Sequence, residues 1–233
     1  MDRLGRWRQN CELAGRTIFS TPLVLLSVLR AITVSFISPR THQLEDGEME
    51  KTVLVIVGMP GAGKSLASHV ASQMKIPVFV SGDIIREEAR RKGLTPDKKN
   101  LGQLMLKIRR TEGMGAVAKR VIPMIEDSAS TIVVYEGARS FEEIDALEKR
   151  YQVWIIAIHA SPGTRFRRLM KRRRSDRPRT MDDFSERDRR EVTVGVGKVI
   201  ALADRMLENE DSRQDLRKRM RRVLIAITRK RSG

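Results

Sequence analysis

The sequence predicts an α/β fold built on a mostly parallel β-sheet, and three observations lead to that expectation. Short runs of β-branched and aliphatic residues alternate with longer segments of helical periodicity, which is typical of repeated strand–helix units. The strand-like runs are mostly continuous in their apolar character, as expected for strands covered on both faces. A glycine-rich motif joins the first such run to the first helix. The length of 233 residues suits one domain with room for an appendage.

The strands and helices are predicted in order from residue 52 onward. The strands are short aliphatic runs, and the helices keep apolar residues at spacings of three and four. Strands are predicted at residues 52–57, 76–80, 131–135, 153–158 and 204–207, the second of them as a buried strand. Helices are predicted at about residues 63–74, within the stretch 84–127, from about residue 164, and after Ser212, whose spacing from Asp215 resembles a capping box.

The first 48 residues differ in composition from the rest of the chain. Residues 17–37 form a mostly apolar run, but Arg30 near its middle would be costly inside a membrane. The run is longer than the core of a usual signal peptide and lacks a small-residue cleavage site. Met49 reads as a natural start directly before the first strand. We interpret residues 1–48 as an over-extended start or a dispensable extension, with a membrane anchor as the minority alternative, and residues 49–233 as the domain.

The distribution of charge and the cysteine and histidine content indicate which kinds of binding site and stabilising cross-link this protein can have. Most of the net charge of +17 comes from two segments: residues 165–190, with 12 basic and 5 acidic residues, and residues 213–231, with 9 and 1. Such segments indicate a polyphosphate site and a basic terminal helix. A single cysteine, Cys11, excludes a disulfide framework, and only three histidines make a zinc site unexpected. The low cysteine content suits a reducing compartment, and we expect a cytoplasmic protein.

The strongest functional motif is a phosphate-binding loop between the first strand and the first helix. Its glycines allow backbone N–H groups to surround phosphate oxygens, and the helix N-terminus adds a favourable dipole. In such a loop the lysine reaches the β- and γ-phosphates, and the serine hydroxyl ligates Mg²⁺. A chance match is disfavoured because the strand and the helix are both in place. The motif G-x-x-x-x-G-K-[ST] consists of Gly58, Met59, Pro60, Gly61, Ala62, Gly63, Lys64 and Ser65.

Polar residues also follow the second and third predicted strands, and ligands of open α/β sheets bind beyond such strand ends. Asp83 is a candidate for orienting or deprotonating an acceptor hydroxyl, or for holding a Mg²⁺-bound water, and Arg86 for binding an acceptor phosphate. Glu136 suits a role near Mg²⁺, and Arg139 offers a second fork for an acceptor phosphate. The alternatives are an N-terminal helix cap with a surface arginine, and an ordinary strand-end turn.

The basic segment 165–190 is predicted to hold a helix followed by a loop that closes over the site. Arg168 and Arg172 lie one helical turn apart, and Arg174 begins a stretch that contains proline. Arginines brought in by a closing segment neutralise charge on a transferring phosphoryl group. We expect Arg168 at the nucleotide, Arg172 in catalysis and Arg174 as a secondary candidate, while most other arginines of the segment are solvated.

The motifs occur in the order found in adenylate kinases and dephospho-CoA kinases, namely GMPGAGKS, SGDIIREEA, VVYEGARS and the arginine-rich segment. The strings NLGQLMLKIRRTEGMGAVAKRVI, RSDRPRTMDDFSERDRRE and ALADRMLENE resemble more closely an archaeal family of P-loop kinases similar to both. The resemblance covers the chain from about residue 50. It implies a three-layer P-loop nucleoside triphosphate hydrolase fold with strand order 2-3-1-4-5. It also implies a helical acceptor-binding insertion between the second and third strands and an arginine-rich lid.

The same resemblance assigns roles to the candidate residues. It places Lys64 and Ser65 at phosphate and Mg²⁺, Asp83 and Arg86 in the acceptor motif, Arg139 after the third strand, and Arg168 with Arg172 in the lid. Where adenylate kinases carry Asp-Gly-Phe-Pro-Arg, this chain has Glu-Gly-Ala-Arg, and its lid lacks the cysteines of zinc-bearing lids. Adenylate is therefore not a secure acceptor.

The sequence favours a kinase that uses ATP and Mg²⁺ and transfers the γ-phosphoryl group to a nucleotide or nucleoside-like molecule. The alternative is an ATPase switch or RNA-associated factor, in which the basic terminal helix touches nucleic acid. Few aromatic residues, 4% of the chain, are present to stack on bases. Asp83, Arg86 and Arg139 have no obvious role in a pure switch. Nucleic-acid binding and stable membrane insertion are not favoured, and the acceptor cannot be read from these residues.

Overall fold

A five-stranded parallel sheet forms the centre of the fold in the computed structural model, which describes residues 51–171 and 178–231. The strands are β1 (Thr52–Val57), β2 (Val78–Val80), β3 (Ile132–Glu136), β4 (Gln152–His159) and β5 (Arg205–Glu208). Their order across the sheet is β2-β3-β1-β4-β5, with all neighbours parallel. The predicted α/β fold and strand order are therefore confirmed.

Helices connect the strands and follow the last of them; several begin close to their predicted positions, whereas those at residues 141–148, 181–194 and 196–201 were not predicted. In the described parts of the chain they are α1 (Lys64–Gln73), α2 (Ser81–Arg91), α3 (Lys98–Glu112), α4 (Ala116–Glu126), α5 (Phe141–Glu148), α6 (Pro162–Met170), α7 (Met181–Val194), α8 (Val196–Ala201) and α9 (Arg213–Arg231). None of them combines the length and the hydropathy that a membrane crossing needs. The apolar run at residues 17–37 lies outside the described residues.

The central position of strand β1 in the sheet explains why its sequence is continuously apolar. It lies between β3 and β4, and all six of its residues are buried. Because successive side chains point to opposite faces, Val53 and Val55 pack with α4 and α5, whereas Leu54 and Ile56 pack with α1 and α9. The first strand thus fills two helix–sheet cores at once and fixes the loop that follows it.

Strand β2 differs from the sequence expectation of a buried strand at residues 76–80. The structure has a strand only at Val78–Val80, and its three residues are half-buried. Their position at the edge of the sheet is the physical reason, since only β3 pairs with them. Ile76 still packs into the core, but it precedes the strand.

The helical stretch between β2 and β3 has a small core of its own. Ile85 and Ala89 of α2 pack with Leu104 and Ile108 of α3, and the start of α4 closes the cluster. A buried ion pair joins this cluster to the sheet: Arg109 donates from Nη2 to Glu143 Oε1 over 2.6 Å. Tyr135 on β3 donates its hydroxyl to the other oxygen of the same carboxylate at 2.7 Å. Removing one member would leave a buried charge uncompensated, so this network holds α3 at a fixed place beside β3.

Candidate functional site

A cleft of about 600 Å³ lies beyond the carboxyl ends of the central strands. It is lined mainly by the loop after β1, helix α1, strand β2, the start of α2, the turn after β3, and helix α7. This is the place where ligands of open α/β sheets bind. The cleft brings together most of the described residues that the sequence singled out, namely Lys64, Ser65, Asp83, Arg86, Glu136 and Arg139.

The loop from Gly58 to Gly63 needs glycine at defined points. Gly58 has a φ of +150°, and a Cβ there would lie 2.4 Å from the carbonyl oxygen of Ile158. Gly63 has a φ of +116°, and its Cβ would meet the side chain of Asn209 at 2.4 Å. These contacts keep the loop tight against β4 and the chain after β5. Helix α1 then begins at Lys64, with no acidic residue in its first turn to compete with an anion for the helix dipole.

Lys64 lies at the base of the cleft with its ammonium group turned back onto the loop. Its Nζ donates to the carbonyl oxygens of Gly58 at 2.7 Å and of Met59 at 3.3 Å. Loss of solvation lowers the pKa of Lys64 to about 8, and the positive charges of Arg139 and Arg187 act in the same direction, while Glu191 and Glu136 oppose the shift. Without a ligand, the Lys64 ammonium group therefore begins to lose its proton not far above physiological pH.

Ser65 and Glu136 face each other across the cleft floor, one from α1 and the other from the end of β3. The Ser65 hydroxyl donates to Glu136 Oε1 at 3.2 Å, and Glu136 is buried. A hydroxyl and a carboxylate at this separation suit one small hard cation that also binds phosphate oxygens. No group of three or more His, Cys, Asp or Glu side chains with metal-binding geometry occurs among the described residues. A resident all-protein metal cage is thus not found in that part of the chain.

Asp83 and Arg86 lie on the first turns of α2 and line the same cleft as the phosphate loop. Both Nε and Nη2 of Arg86 donate to Asp83 Oδ1, the former over 3.1 Å. The pair is exposed, with 63% of the Asp83 side chain accessible. An exposed pair of this kind contributes little to stability, so both groups can exchange this contact for a ligand at small cost.

Arg139 enters the cleft from the turn after β3, two residues beyond Gly137. Its Nε donates to Glu191 Oε2 over 2.7 Å, and its Nη1 contacts Met105 Sδ at 3.0 Å. Burial raises the pKa of Glu191, but the charges of Arg139 and Lys64 outweigh burial, so the carboxyl pKa lies below its usual value. Arg139 is therefore held by a partner that the sequence did not identify.

Helix α7 supplies two cleft residues that sequence reasoning missed, Arg187 and Glu191. They lie one helical turn apart, so both side chains can reach the same face. The signal was present in the sequence: Thr180 and Asp183 form a capping box that begins the helix, and the positions i and i+4 carry opposite charges. The basic composition of the segment led to the interpretation of Arg187 as a solvated residue, and Glu191 was not singled out.

Arg165 was also included in the basic segment, but its environment is a buried one. It forms a two-pronged ion pair with Asp188 of α7, with N–O distances of 2.8 and 2.5 Å. The same guanidinium donates to the carbonyl oxygens of Pro60 at 3.3 Å and Ala160 at 3.1 Å. Arg165 therefore ties α7 to the phosphate loop, and this tie fixes where Arg187 and Glu191 enter the cleft.

Arg168 does not line the cleft but lies beside the loop that follows β5. It donates to the carbonyl oxygen of Asn209 at 2.8 Å, and the Asn209 amide donates to the carbonyl oxygen of Ala62 at 2.6 Å. Arg168 is thus connected to the phosphate loop through a single intervening residue. The other two lid candidates, Arg172 and Arg174, lie outside the described residues.

Comparison with known proteins identifies relatives for most of the chain. A family model described as an AAA domain matches residues 57–186. A UPF0200 protein of Hyperthermus butylicus is 43% identical over 178 residues, which cover 76% of this chain and 96% of that protein. A UPF0200 protein of Pyrococcus abyssi is 37% identical over 180 residues, 75% of this chain and 96% of the relative.

Two solved structures share the fold at low sequence identity. The crystal structure of TT1252 from Thermus thermophilus has a TM-score of 0.57 at 20% identity and covers 76% of this chain and 98% of its own. Shikimate kinase from Bacteroides thetaiotaomicron has a TM-score of 0.54 at 16% identity and covers 74% and 98%. These likenesses show a P-loop fold of the kind that kinases use.

Proposed function

This chain belongs to the archaeal UPF0200 family of P-loop nucleotide-binding proteins, and we propose that it is a kinase that transfers the γ-phosphoryl group of ATP to a small molecule. The observation that carries the proposal is the composition of the cleft. The cleft is lined by a phosphate loop with Lys64 and Ser65, and also by Arg86 from the start of α2 and Arg139 from the turn after β3. A protein that only hydrolyses ATP needs the phosphate loop, whereas two further guanidinium groups in the same cleft suit a second anionic substrate.

The nucleotide end of the cleft is assigned from Gly58 to Ser65. Lys64 would exchange its two carbonyl contacts for the β- and γ-phosphates, which are stronger, charged acceptors. Ser65 and Glu136 would hold Mg²⁺, which supplies charge neutralisation for the phosphate oxygens when bound. Arg168 lies where the loop after β5 meets the phosphate loop, and we assign it to the nucleotide side.

The acceptor end is assigned to Asp83, Arg86 and Arg139. An acceptor hydroxyl oxygen attacks the γ-phosphorus, the bond from that phosphorus to the bridging oxygen of ADP breaks, and the hydroxyl proton passes to the Asp83 carboxylate. Arg86 and Arg139 would bind an acceptor phosphate or carboxylate. Arg187 of α7 would neutralise charge that spreads over the transferring group. We assign Arg172 to the same charge neutralisation on the basis of the sequence alone.

We infer the chemical class of the acceptor from the sequence motifs more than from the shape of the cleft. The motifs quoted above resemble those of dephospho-CoA kinases and adenylate kinases, so a nucleotide or nucleoside-like acceptor is our leading assignment. The fold-level likeness to a shikimate kinase adds small hydroxy acids to the molecules worth testing. A coupled assay of ADP formation across nucleoside monophosphates, nucleosides, dephospho-CoA and shikimate tests the proposal. ATP hydrolysis that no acceptor accelerates would instead support an ATPase switch.

Replacing Arg86 by alanine is expected to lower kcat/KM for a phosphorylated acceptor about ten- to a hundredfold, since one charge-assisted contact is worth roughly 1.5–3 kcal/mol. The apparent KM for ATP should stay within about twofold, because the phosphate loop holds that substrate independently. Arg90→Ala is the matched control: Arg90 lies one turn further along α2 and pairs with Glu87 at i,i+3 as Arg86 pairs with Asp83. Equal losses in both variants would count against an acceptor role. Arg139→Ala is less informative, because it leaves Glu191 without its partner.

The affinity for ATP is expected to fall about tenfold between pH 7 and pH 9. The pKa of Lys64 in the free protein is about 8, so below that pH the amine is already charged and binding takes up no proton. Above it, binding must first protonate the amine, and the association constant falls tenfold per pH unit. Calorimetry at the two pH values, in two buffers of different ionisation enthalpy, measures both the affinity and the proton uptake. A flat profile, or the same slope in Lys64→Met, would assign the dependence to another group.

A further inference from the structure

The outward face of α9 carries a row of cationic side chains that the proposed kinase chemistry does not use. At 100° per residue these side chains fall on one half of the helix, and all are exposed. The apolar residues Leu216, Met220, Leu224 and Ile227 occupy the other half and are buried against the sheet and α1. We call the exposed row the basic stripe; it consists of Arg217, Lys218, Arg221, Arg222 and Arg229.

The arginines of the basic stripe lack the carboxylate partners that several other surface arginines have. Elsewhere Arg86, Arg120 and Arg150 each pair with a nearby carboxylate, whereas the four arginines of the stripe have no ion pair within the described parts of the chain. Arg219 shows the contrast inside the same helix, since it turns back to Asp211 at 2.7 Å and to the carbonyl oxygen of Glu208 at 2.8 Å.

The cationic side chains of the basic stripe therefore repel one another, and no ion pair with a described carboxylate offsets this repulsion. Arg217 and Arg221 are four residues apart, as are Lys218 and Arg222, and like charges at that spacing destabilise a helix. The acidic residue of α9, Asp215, lies in its first turn, where its side chain accepts from the Ser212 hydroxyl at 2.6 Å. An anionic partner would remove this repulsion, and the helix itself is anchored firmly enough to present the charges as a rigid row.

We propose that the basic stripe binds the phosphate backbone of a double-stranded nucleic acid. From Arg217 to Arg229 the row is about 18 Å long, at a rise of about 1.5 Å per residue, and a duplex strand places a phosphate every 3.4 Å or so along its axis. Four of the five groups are guanidinium forks, which match phosphate oxygens in pairs. The row can thus follow one backbone over several phosphates, and nothing in it reads base sequence.

The chemistry of α9 favours a duplex over a single strand and over a membrane surface. Single-strand binding relies on aromatic side chains that stack on bases, and α9 contains none. Peripheral membrane helices insert an apolar face into the lipid boundary, but the apolar face of α9 is already buried in the protein core. What remains for a partner is a straight row of charge.

The test is the salt dependence of binding to labelled 20-base-pair duplexes of RNA and of DNA, with the full chain and fluorescence anisotropy as the readout. Five phosphate contacts predict a slope of about −4.5 in log affinity against log salt, or a loss of roughly 500-fold between 50 and 200 mM. The fourfold variant Arg217→Gln, Arg221→Gln, Arg222→Gln, Arg229→Gln should reduce that loss to about fourfold. Its substitutions are all exposed, and a thermal melt checks that it folds.

Two controls separate the stripe from general electrostatics. Arg90, Arg91, Arg110 and Arg150, all changed to Gln, remove the same charge from other exposed surfaces and should leave duplex binding within about twofold. Lys64→Ala should also bind normally, since the phosphate loop is a separate site. Equal losses in both fourfold variants would overturn the proposal, as would no duplex binding at 50 mM salt. Binding of anionic vesicles in preference to either duplex would replace it with a membrane surface.

Discussion

Lys64→Ala is expected to abolish ATP turnover, with a loss beyond the sensitivity of a coupled ADP assay. The ammonium group is the positive charge positioned within the phosphate loop, and its present contacts with the carbonyl oxygens of Gly58 and Met59 keep it there in the free protein. Removing it deletes charge stabilisation of the β- and γ-phosphates both in the bound state and as the phosphoryl group transfers. Titration with a fluorescent ATP analogue would separate lost binding from lost chemistry.

The companion variant Lys64→Met distinguishes lost function from lost folding. Met keeps most of the methylene packing and removes the charge, and the folded pKa of about 8 lies below the ordinary value of 10.5. Between these pH values the unfolded chain binds more protons, so the wild-type protein gains stability as pH rises through this window. Below pH 8 Lys64 is charged in both the folded and the unfolded chain, so burial of the charge reduces the free energy of unfolding by its full amount. Lys64→Met should melt at a higher temperature than the wild type at pH 7, without nucleotide, and the difference should vanish towards pH 10.5.

An inactive Lys64→Met that melts at a higher temperature than the wild type would indicate that Lys64 serves function and lowers the stability of the free protein. A variant that melts lower at pH 7 would show that Lys64 stabilises the loop, and the loss of activity would then need a structural explanation. Full turnover by a folded Lys64→Ala would remove the phosphate loop from the proposed mechanism.

The parts of this structure that the sequence predicted well are those set by local patterns. Strand β1 has the bounds that its aliphatic run predicted, Thr52–Val57, because both of its faces pack against helices. The loop from Gly58 to Ser65 follows from a motif whose glycines are required by contacts within a few ångströms. Strand β2 was predicted two residues too long, since an edge position is a property of the sheet and not of the segment.

The contacts that complete the cleft could not be read from the sequence because they join distant segments. Glu191 pairs with Arg139 across 52 residues, and Asp188 pairs with Arg165 across 23. A charged residue is usually solvated, so a basic segment gives no sign that Arg165 is buried under the phosphate loop. Periodicity predicted helices between β2 and β3, but the Arg109–Glu143 pair that fixes α3 depends on how those helices pack.

Arg187→Ala is expected to lower kcat by about a thousandfold or more, the scale of a guanidinium that stabilises charge in phosphoryl transfer. Arg187 lines the cleft from α7, and it is close enough to Lys64 for its charge to contribute to lowering the pKa of that amine. The Arg165–Asp188 ion pair fixes the position of α7 against the phosphate loop, so the Arg187 guanidinium enters the cleft from a helix of fixed position. The affinity for ATP should change little, because charge on the phosphoryl oxygens increases only as the bond breaks.

Arg190→Ala is the matched control for this prediction, because Arg190 lies on the same helix, is 59% exposed and pairs with Glu186 at i,i+4. Its kcat should match the wild type, whereas Arg187→Lys should recover only part of the loss, since an ammonium lacks the fork that contacts two oxygens at once. Single-turnover rates, measured with the best acceptor from the screen and with water alone, separate transfer from product release. Equal losses in Arg187→Ala and Arg190→Ala would mean that α7 has been displaced. A wild-type rate in Arg187→Ala would leave charge neutralisation to residues outside the described part of the chain, with Arg172 the first to test.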